Sequence, residues 1–156
     1  MKRNRRLLAS VLLLAALLLA ACGSRPAASA DLPAVYDSIS DSFALPEMLV
    51  LPAQRVQSYY GLEPESCPQL LIAVCDEGLR VDEIWLIEAA DEKAAEAILA
   101  TARSRIEQIC TETENYLPDQ YAVAKAAQAL RIGNSVGLFV SPDAKAMADL
   151  FTKAFH

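Results

Sequence analysis

The residues from about position 65 onward predict an α+β domain. Its sheet is four-stranded and mainly antiparallel, built in the order strand-strand-helix-strand-strand-helix, with additional N-terminal helices. Three observations predict it. Two pairs of short apolar runs, residues 70–75 with 83–88 and residues 129–132 with 136–140, are each bounded by turn residues. A long segment of helical period separates the two pairs, and a shorter one follows them. Hairpins divided by helices favour an antiparallel sheet with its helices gathered on one face, the N-terminal helices covering an edge or end.

The chain opens with a cationic cluster, Lys2, Arg3, Arg5 and Arg6, followed by fifteen residues, 7–21, that are apolar apart from Ser10. That length suits the apolar part of an export signal and falls short of the ~20 residues a transmembrane helix needs. The cationic cluster stays on the cytoplasmic side. Leu19-Ala20-Ala21-Cys22 closes the stretch and resembles the lipobox of bacterial lipoproteins. Small residues at Ala20 and Ala21 admit the backbone to a peptidase cleft, the Cys22 thiol takes a diacylglyceryl group, and cleavage between Ala21 and Cys22 frees the amino group. A plain secreted protein or an uncleaved anchor are the alternatives. A single acyl chain attaches only marginally, so stable anchoring requires the full lipid group.

These features set the expected organisation: a lipoprotein signal peptide over 1–21, a lipidated cysteine and flexible tether over 22–30, and a single α+β domain over 31–156. The tether, Gly23-Ser24-Arg25-Pro26-Ala27-Ala28-Ser29-Ala30, is small and polar with no apolar period. The expected location is the extracytoplasmic face of a cell membrane, with the membrane engaged through lipid on Cys22. Cleavage removes four cations and no acid, taking the formal charge from −6 to −10. Such an acidic domain argues against nucleic acid and against flat adhesion to anionic headgroups. It is also what solubility alone would favour.

Along the domain, Asp31 with Pro33 marks a helix start, and Val35, Ile39 and Phe43 follow at intervals of four. Pro46 ends that helix. Met48-Leu49-Val50-Leu51 is too short for its type to be read. Pro52 opens a second helix that runs through Tyr60 and stops at Gly61. Leu70-Leu71-Ile72-Ala73-Val74-Cys75 is a strand, Asp76-Glu77-Gly78 supplies turn chemistry, and Glu83-Ile84-Trp85-Leu86-Ile87-Glu88 is a second strand, apolar enough to be central. Asp91 caps the longest helix, which reaches about Thr113 with Ala95, Ile98, Ala102 and Ile109 on its stripe. Pro118 starts a short helical turn. Gly133-Asn134 joins the last two strands, both residue types tolerating positive φ. Ser141-Pro142-Asp143 starts the final helix.

Candidate chemistry is sparse. Outside the lipobox the cysteines are Cys67, Cys75 and Cys110, an odd number. Cys67 and Cys75 stand about 26 Å apart on extended backbone and cannot bridge. They read as buried small hydrophobes, with a Cys110 bridge to one of them the alternative. The one histidine is the terminal His156, so no metal site is expected and no Ser-His or Cys-His pair has a base. No phosphate loop, dinucleotide fingerprint or calcium loop occurs, and no cofactor is implied. The carboxylate pairs Asp76/Glu77 and Asp82/Glu83 read as solvated turn charges, because adjacent strand residues point to opposite faces.

Arg105 flanks the apolar stripe of the long helix. Its fork suits a carboxylate from Glu83, Glu88 or a ligand, or an internal ion pair. Tyr116 and Tyr121, with Tyr59-Tyr60, are the aromatic candidates, either as a binding surface or as lids on the core.

Tyr60-Gly61-Leu62, Glu83-Ile84-Trp85, the helix bearing Arg105, Tyr116-Leu117-Pro118-Asp119-Gln120-Tyr121 and Gly133-Asn134, together with the lipobox, resemble a group of bacterial lipoproteins catalogued as domain of unknown function 4358. The resemblance covers roughly residues 40–155. It implies the address and one domain, and it implies no reaction. The expectation is therefore a non-catalytic envelope module that binds an envelope protein or a cell-wall component. A small-ligand carrier or sensor with a pocket near Arg105 is the alternative, and an enzyme working through carboxylates alone is the least favoured reading.

Overall fold

The structure, a computed structural model, describes residues 29–156; the expected signal peptide, Cys22 and the tether up to residue 28 lie outside the described residues. The first helix, α1 (Leu32–Ser42), begins where the sequence places it. The Asp31 carboxylate accepts the Ala34 N–H at 3.2 Å, satisfying one of the donors a helix start leaves free. The other elements are β1 (Met48–Val50), α2 (Ala53–Tyr60), a 3-10 turn (Pro64–Ser66), β2 (Gln69–Cys75), β3 (Glu83–Glu88), α3 (Glu92–Thr113), α4 (Pro118–Ala126), β4 (Gln128–Ile132), β5 (Ser135–Val140) and α5 (Ala144–Lys153). Asp91 caps α3 through the Ala94 N–H at 2.8 Å. Ser141 Oγ accepts the Asp143 N–H at 3.2 Å, and regular helix follows from Ala144.

The strands form one antiparallel sheet in the order β1-β2-β3-β5-β4, with β3 at its centre. The class is the expected one, but the sheet has five strands where four were expected. The additional strand is the short run from Met48. Three residues carry no readable period, and what makes them a strand is pairing with β2, Met48 opposite Cys75 and Val50 opposite Ala73, across more than twenty residues of chain.

The helices cover both faces of the sheet, not one. Successive strand residues point to opposite sides. Trp85 and Ile87 of β3 join Ile72, Val136, Leu138 and Val140 in a core closed by Val56 of α2, Ile98 and Ile109 of α3, and Ala124 of α4. Ile84 and Leu86 join Phe139 in a second core closed by Val35 and Ile39 of α1 and Met147 and Phe151 of α5. A strand apolar at consecutive positions exposes apolar surface on both faces, so each face needs a helical layer. α1 therefore lies on a face, not at an edge or end. Gly137 of β5 permits the second core to close: a Cβ there would stand 2.8 Å from the Phe139 ring and 3.3 Å from that of Phe151. In the β4–β5 turn only Gly133 has positive φ (55°); Asn134 does not.

The sheet has two distinct ends. At one, Ser29 Oγ donates to Glu88, and the Gln69 amide donates to the Ala30 carbonyl and to Glu88 while accepting the Leu32 N–H. The incoming chain is thus stitched to the start of β2 and the end of β3. At the other end lie Cys75, Glu83, the connecting segment 76–82 and the C-terminus of α3. There the Val81 N–H donates to Gln120 of α4 at 3.1 Å.

Candidate functional site

The polar chemistry of the molecule concentrates at this second end. Glu83 opens β3 and points to the α3 face. Trp85, two residues on and therefore on the same face, donates its indole N–H to Glu83 Oε1 at 2.7 Å. Arg105 of α3 places Nε and Nη2 each 3.0 Å from Glu83 Oε2. The Glu83 side chain is 3% exposed and that of Arg105 23%. A buried carboxylate persists only when its oxygens are paired, and here both are. The arginine's helical position, one turn from Ile109 and from Ala102, sets its stem along the apolar stripe while its head reaches the sheet.

Tyr60, at the end of α2, closes the cluster from above. Its ring packs against Trp85 with centroids 4.6 Å apart, and the Arg105 guanidinium carbon lies 5.9 Å from its centre. Burial, and then the negative charge of Glu83, push the Tyr60 phenol above its ordinary value. Burial works against the charge on Arg105, yet the Glu83 carboxylate outweighs it and holds the guanidinium above its ordinary range.

Asp82 is buried too, at 4% exposure, and is held by Arg80 through two bonds, Nε to Oδ2 at 3.0 Å and Nη2 to Oδ1 at 3.1 Å. This corrects the reading of Asp82 and Glu83 as solvated turn charges. Each meets an arginine rather than water. The signal was present in part: Arg80 and Asp82 are two apart, the spacing that shares a strand face. Glu83 was one of the partners weighed for Arg105, and the structure selects it across 22 residues of chain. Asp76 and Glu77 are exposed, as turn charges should be.

Both ion pairs line one cavity of about 310 Å³, walled also by Tyr59, Tyr60, Cys75 and Glu112. Of the two carboxylates weighed for Arg105, Glu88 lies at the opposite end of β3 and bonds Ser29 and Gln69. Arg105 lines this cavity, and its Nη1 has Glu112 4.0 Å away, beyond hydrogen-bond length. Its N–H groups are the donors that a carbonyl or anionic group entering the cavity would meet.

Tyr116 and Tyr121 are not brought to Arg105. Tyr116 is 84% exposed and stands by Leu79, 71% exposed. The two rim a separate cleft of about 250 Å³ formed with Arg80, Leu117, Pro118 and Gln120. Tyr121 is half-buried, with Lys125 Nζ 5.9 Å from its ring centre. The tyrosines thus divide: Tyr60 is a lid on the core, and Tyr116 projects into solvent. Leu79 was not singled out by sequence reasoning, since an exposed apolar residue in a turn has no periodic signature.

Cys67, Cys75 and Cys110 are free, half-buried thiols, so Cys110 makes no bridge. Cys67 and Cys110 pack against the core, and burial pushes the Cys67 thiol up. Cys75 accepts the Glu77 N–H at 3.3 Å in the cavity wall. Among the described residues no cluster of histidine, cysteine and carboxylate groups could hold a metal ion.

No curated protein and no solved structure matches the chain. The family described as Domain of unknown function (DUF4358) matches residues 41–141. That span runs from the end of α1 through the last strand and contains Tyr60, Glu83, Trp85, Arg105 and the Tyr116 turn. Covering well over half of the 156 residues, the match makes the chain a member of the DUF4358 family.

Proposed function

We propose that this chain is a lipoprotein, held through lipid on Cys22 at the extracytoplasmic face of a membrane, and that its domain binds an envelope partner without transforming it. The anchor rests on the sequence of the first 22 residues: cationic start, apolar run, small residues, cysteine. The binding role rests on one observation. Leu79 and Tyr116 stand largely exposed on either side of a surface cleft, while both buried carboxylates, Asp82 and Glu83, are occupied by arginines. Large exposed side chains of this kind, grouped at a concave site, are characteristic of interaction surfaces. With the oxygens of both carboxylates already engaged by protein donors, neither is offered to a substrate, which supports binding as the stronger reading. Among the described residues no helix is long and apolar enough to cross a membrane.

The test of the anchor is Cys22→Ser. The unaltered chain incorporates radiolabelled palmitate and sediments with membranes; the variant incorporates none. Palmitate label persisting on the variant would overturn the assignment.

A second reading, a small-ligand carrier or sensor, is favoured by Arg105 in the wall of the 310 Å³ cavity, its Nη1 held by no partner within hydrogen-bond length among the side chains it pairs with. A carboxylate-bearing ligand that raises the melting temperature of the chain, and does so less for Arg105→Lys, would support it.

A further inference from the structure

We propose that the docking surface is the membrane-distal end of the sheet, and that it takes a basic segment of a protein partner that seats an apolar side chain between Leu79 and Tyr116. The proposal rests on the anchored-lipoprotein reading above and adds to it a direction, a surface and a partner chemistry.

The direction follows from where the described chain begins. Ala30 lies eight steps along the chain from Cys22, a reach of at most about 28 Å. Ser29 and Ala30 are bonded to Glu88 and Gln69, at the end of the sheet where β3 finishes. Glu83 lies five residues back along β3, about 17 Å further from that attachment. Helix α3 runs the same way, from Asp91 beside the attachment to Thr113 at the far end, followed by the Tyr116 turn. The cleft therefore lies at the end of the sheet opposite the attachment, clear of the point where the tether holds the domain.

The partner chemistry follows from size and charge. The cleft of about 250 Å³ is lined mainly by Leu79, Tyr116, Leu117 and Pro118, and it has room for a single large side chain. Asp119 lines it, and the exposed carboxylates Asp76, Glu77 and Glu114 lie within three residues of its lining along the chain, none of the four with a salt-bridge partner among the described residues. The one cation in the lining, Arg80, is engaged by Asp82. An apolar centre within an acidic rim complements an apolar anchor flanked by lysine or arginine. A nucleic acid or an acidic polymer would be repelled by the same rim.

The experiment places a photo-crosslinking phenylalanine analogue in the full-length chain in its own envelope. Positions Asn115 and Tyr116 report the distal end, and Asp37 and Lys153 report α1 and α5. A single protease-sensitive product from the two distal positions, absent from the other two, is expected. Combining Glu77→Lys with Glu114→Lys should reduce its yield about fivefold, as two exposed charges acting on a rim would. Both positions are exposed, and a cation at Glu114 suits the C-terminal end of α3, so the fold is not burdened. Matched melting curves for variant and parent verify that. Three results overturn the proposal: the same product from Asp37 or Lys153, a yield indifferent to charge reversal, or a product that a muramidase rather than a protease removes. No product from the distal positions, with the chain present in the membrane fraction, overturns it as well. Fractionation in the same samples reads the anchor separately, so failure of the anchor and failure of the docking surface are distinguishable.

Discussion

Glu83 is the residue on which the most interactions of the distal end converge. Its two oxygens hold Trp85 and Arg105, and through them it joins the central strand to α3, with Tyr60 of α2 packed above. Removing one partner from a buried ion pair leaves a charge with neither water nor counter-ion, at a cost of about 3–5 kcal/mol when both are fully buried. Arg105 reaches solvent, at 23% exposure, so the penalty is smaller. Glu83→Gln, which keeps an acceptor for the Trp85 N–H, should destabilise the fold by about 2 kcal/mol in urea unfolding. Glu83→Gln combined with Arg105→Met should recover part of that loss, since the orphaned charge is gone. A loss below about 0.5 kcal/mol for the single change would mean the pair is in effect solvated. Sequence reasoning placed Arg105 beside the apolar stripe and named Glu83 among its possible partners. What it lacked was the depth of Glu83. Exposure at a strand's first residue depends on what packs above it, and here that is Tyr60, from an element more than twenty residues earlier.

The elements divide by how local their causes are. α1, α3 and the β4–β5 hairpin follow from residues within one turn of their ends: Asp31, Asp91, and Gly133 at positive φ. β1 follows from nothing local, and it was the element whose type the sequence left open. Its three residues become a strand because β2 offers an unpaired edge. Strand β5 shows the same division within a single element. Its apolar run was legible, but the requirement for glycine at position 137 was not, because the atoms that crowd it belong to Phe139 and to Phe151 of α5. Gly137→Ala should lower stability by about 1–3 kcal/mol through overpacking. Thermal or urea unfolding reads this directly, and an unchanged midpoint would mean that the Phe139–Phe151 pair has slack.

At the scale of the molecule, the sheet is a central layer with apolar cores on both sides, and charge is unevenly spread around it. The chain carries a formal −6, and loss of residues 1–21 would take the remainder to −10. Like charges at this density repel in the compact state. Raising sodium chloride from 0.01 M to 0.2 M shortens the screening length from about 30 Å to under 10 Å, and the unfolding midpoint should rise. A falling midpoint would show that attractive pairs such as Arg80–Asp82 outweigh the repulsion.

The sequence by itself determined the α+β class, the order of the four longer strands and the helices between them, and the family that the match over 41–141 then established. These depend on period and on capping, which are local properties of the chain. Only the tertiary structure decided the fifth strand, the helical layers on both faces, the burial of Asp82 and Glu83, and the separation of Tyr60 from Tyr116. Each of these depends on which distant residues come to lie against one another. Burial and pairing are properties of contact, and contact between residues far apart in the chain leaves no periodic trace within either segment.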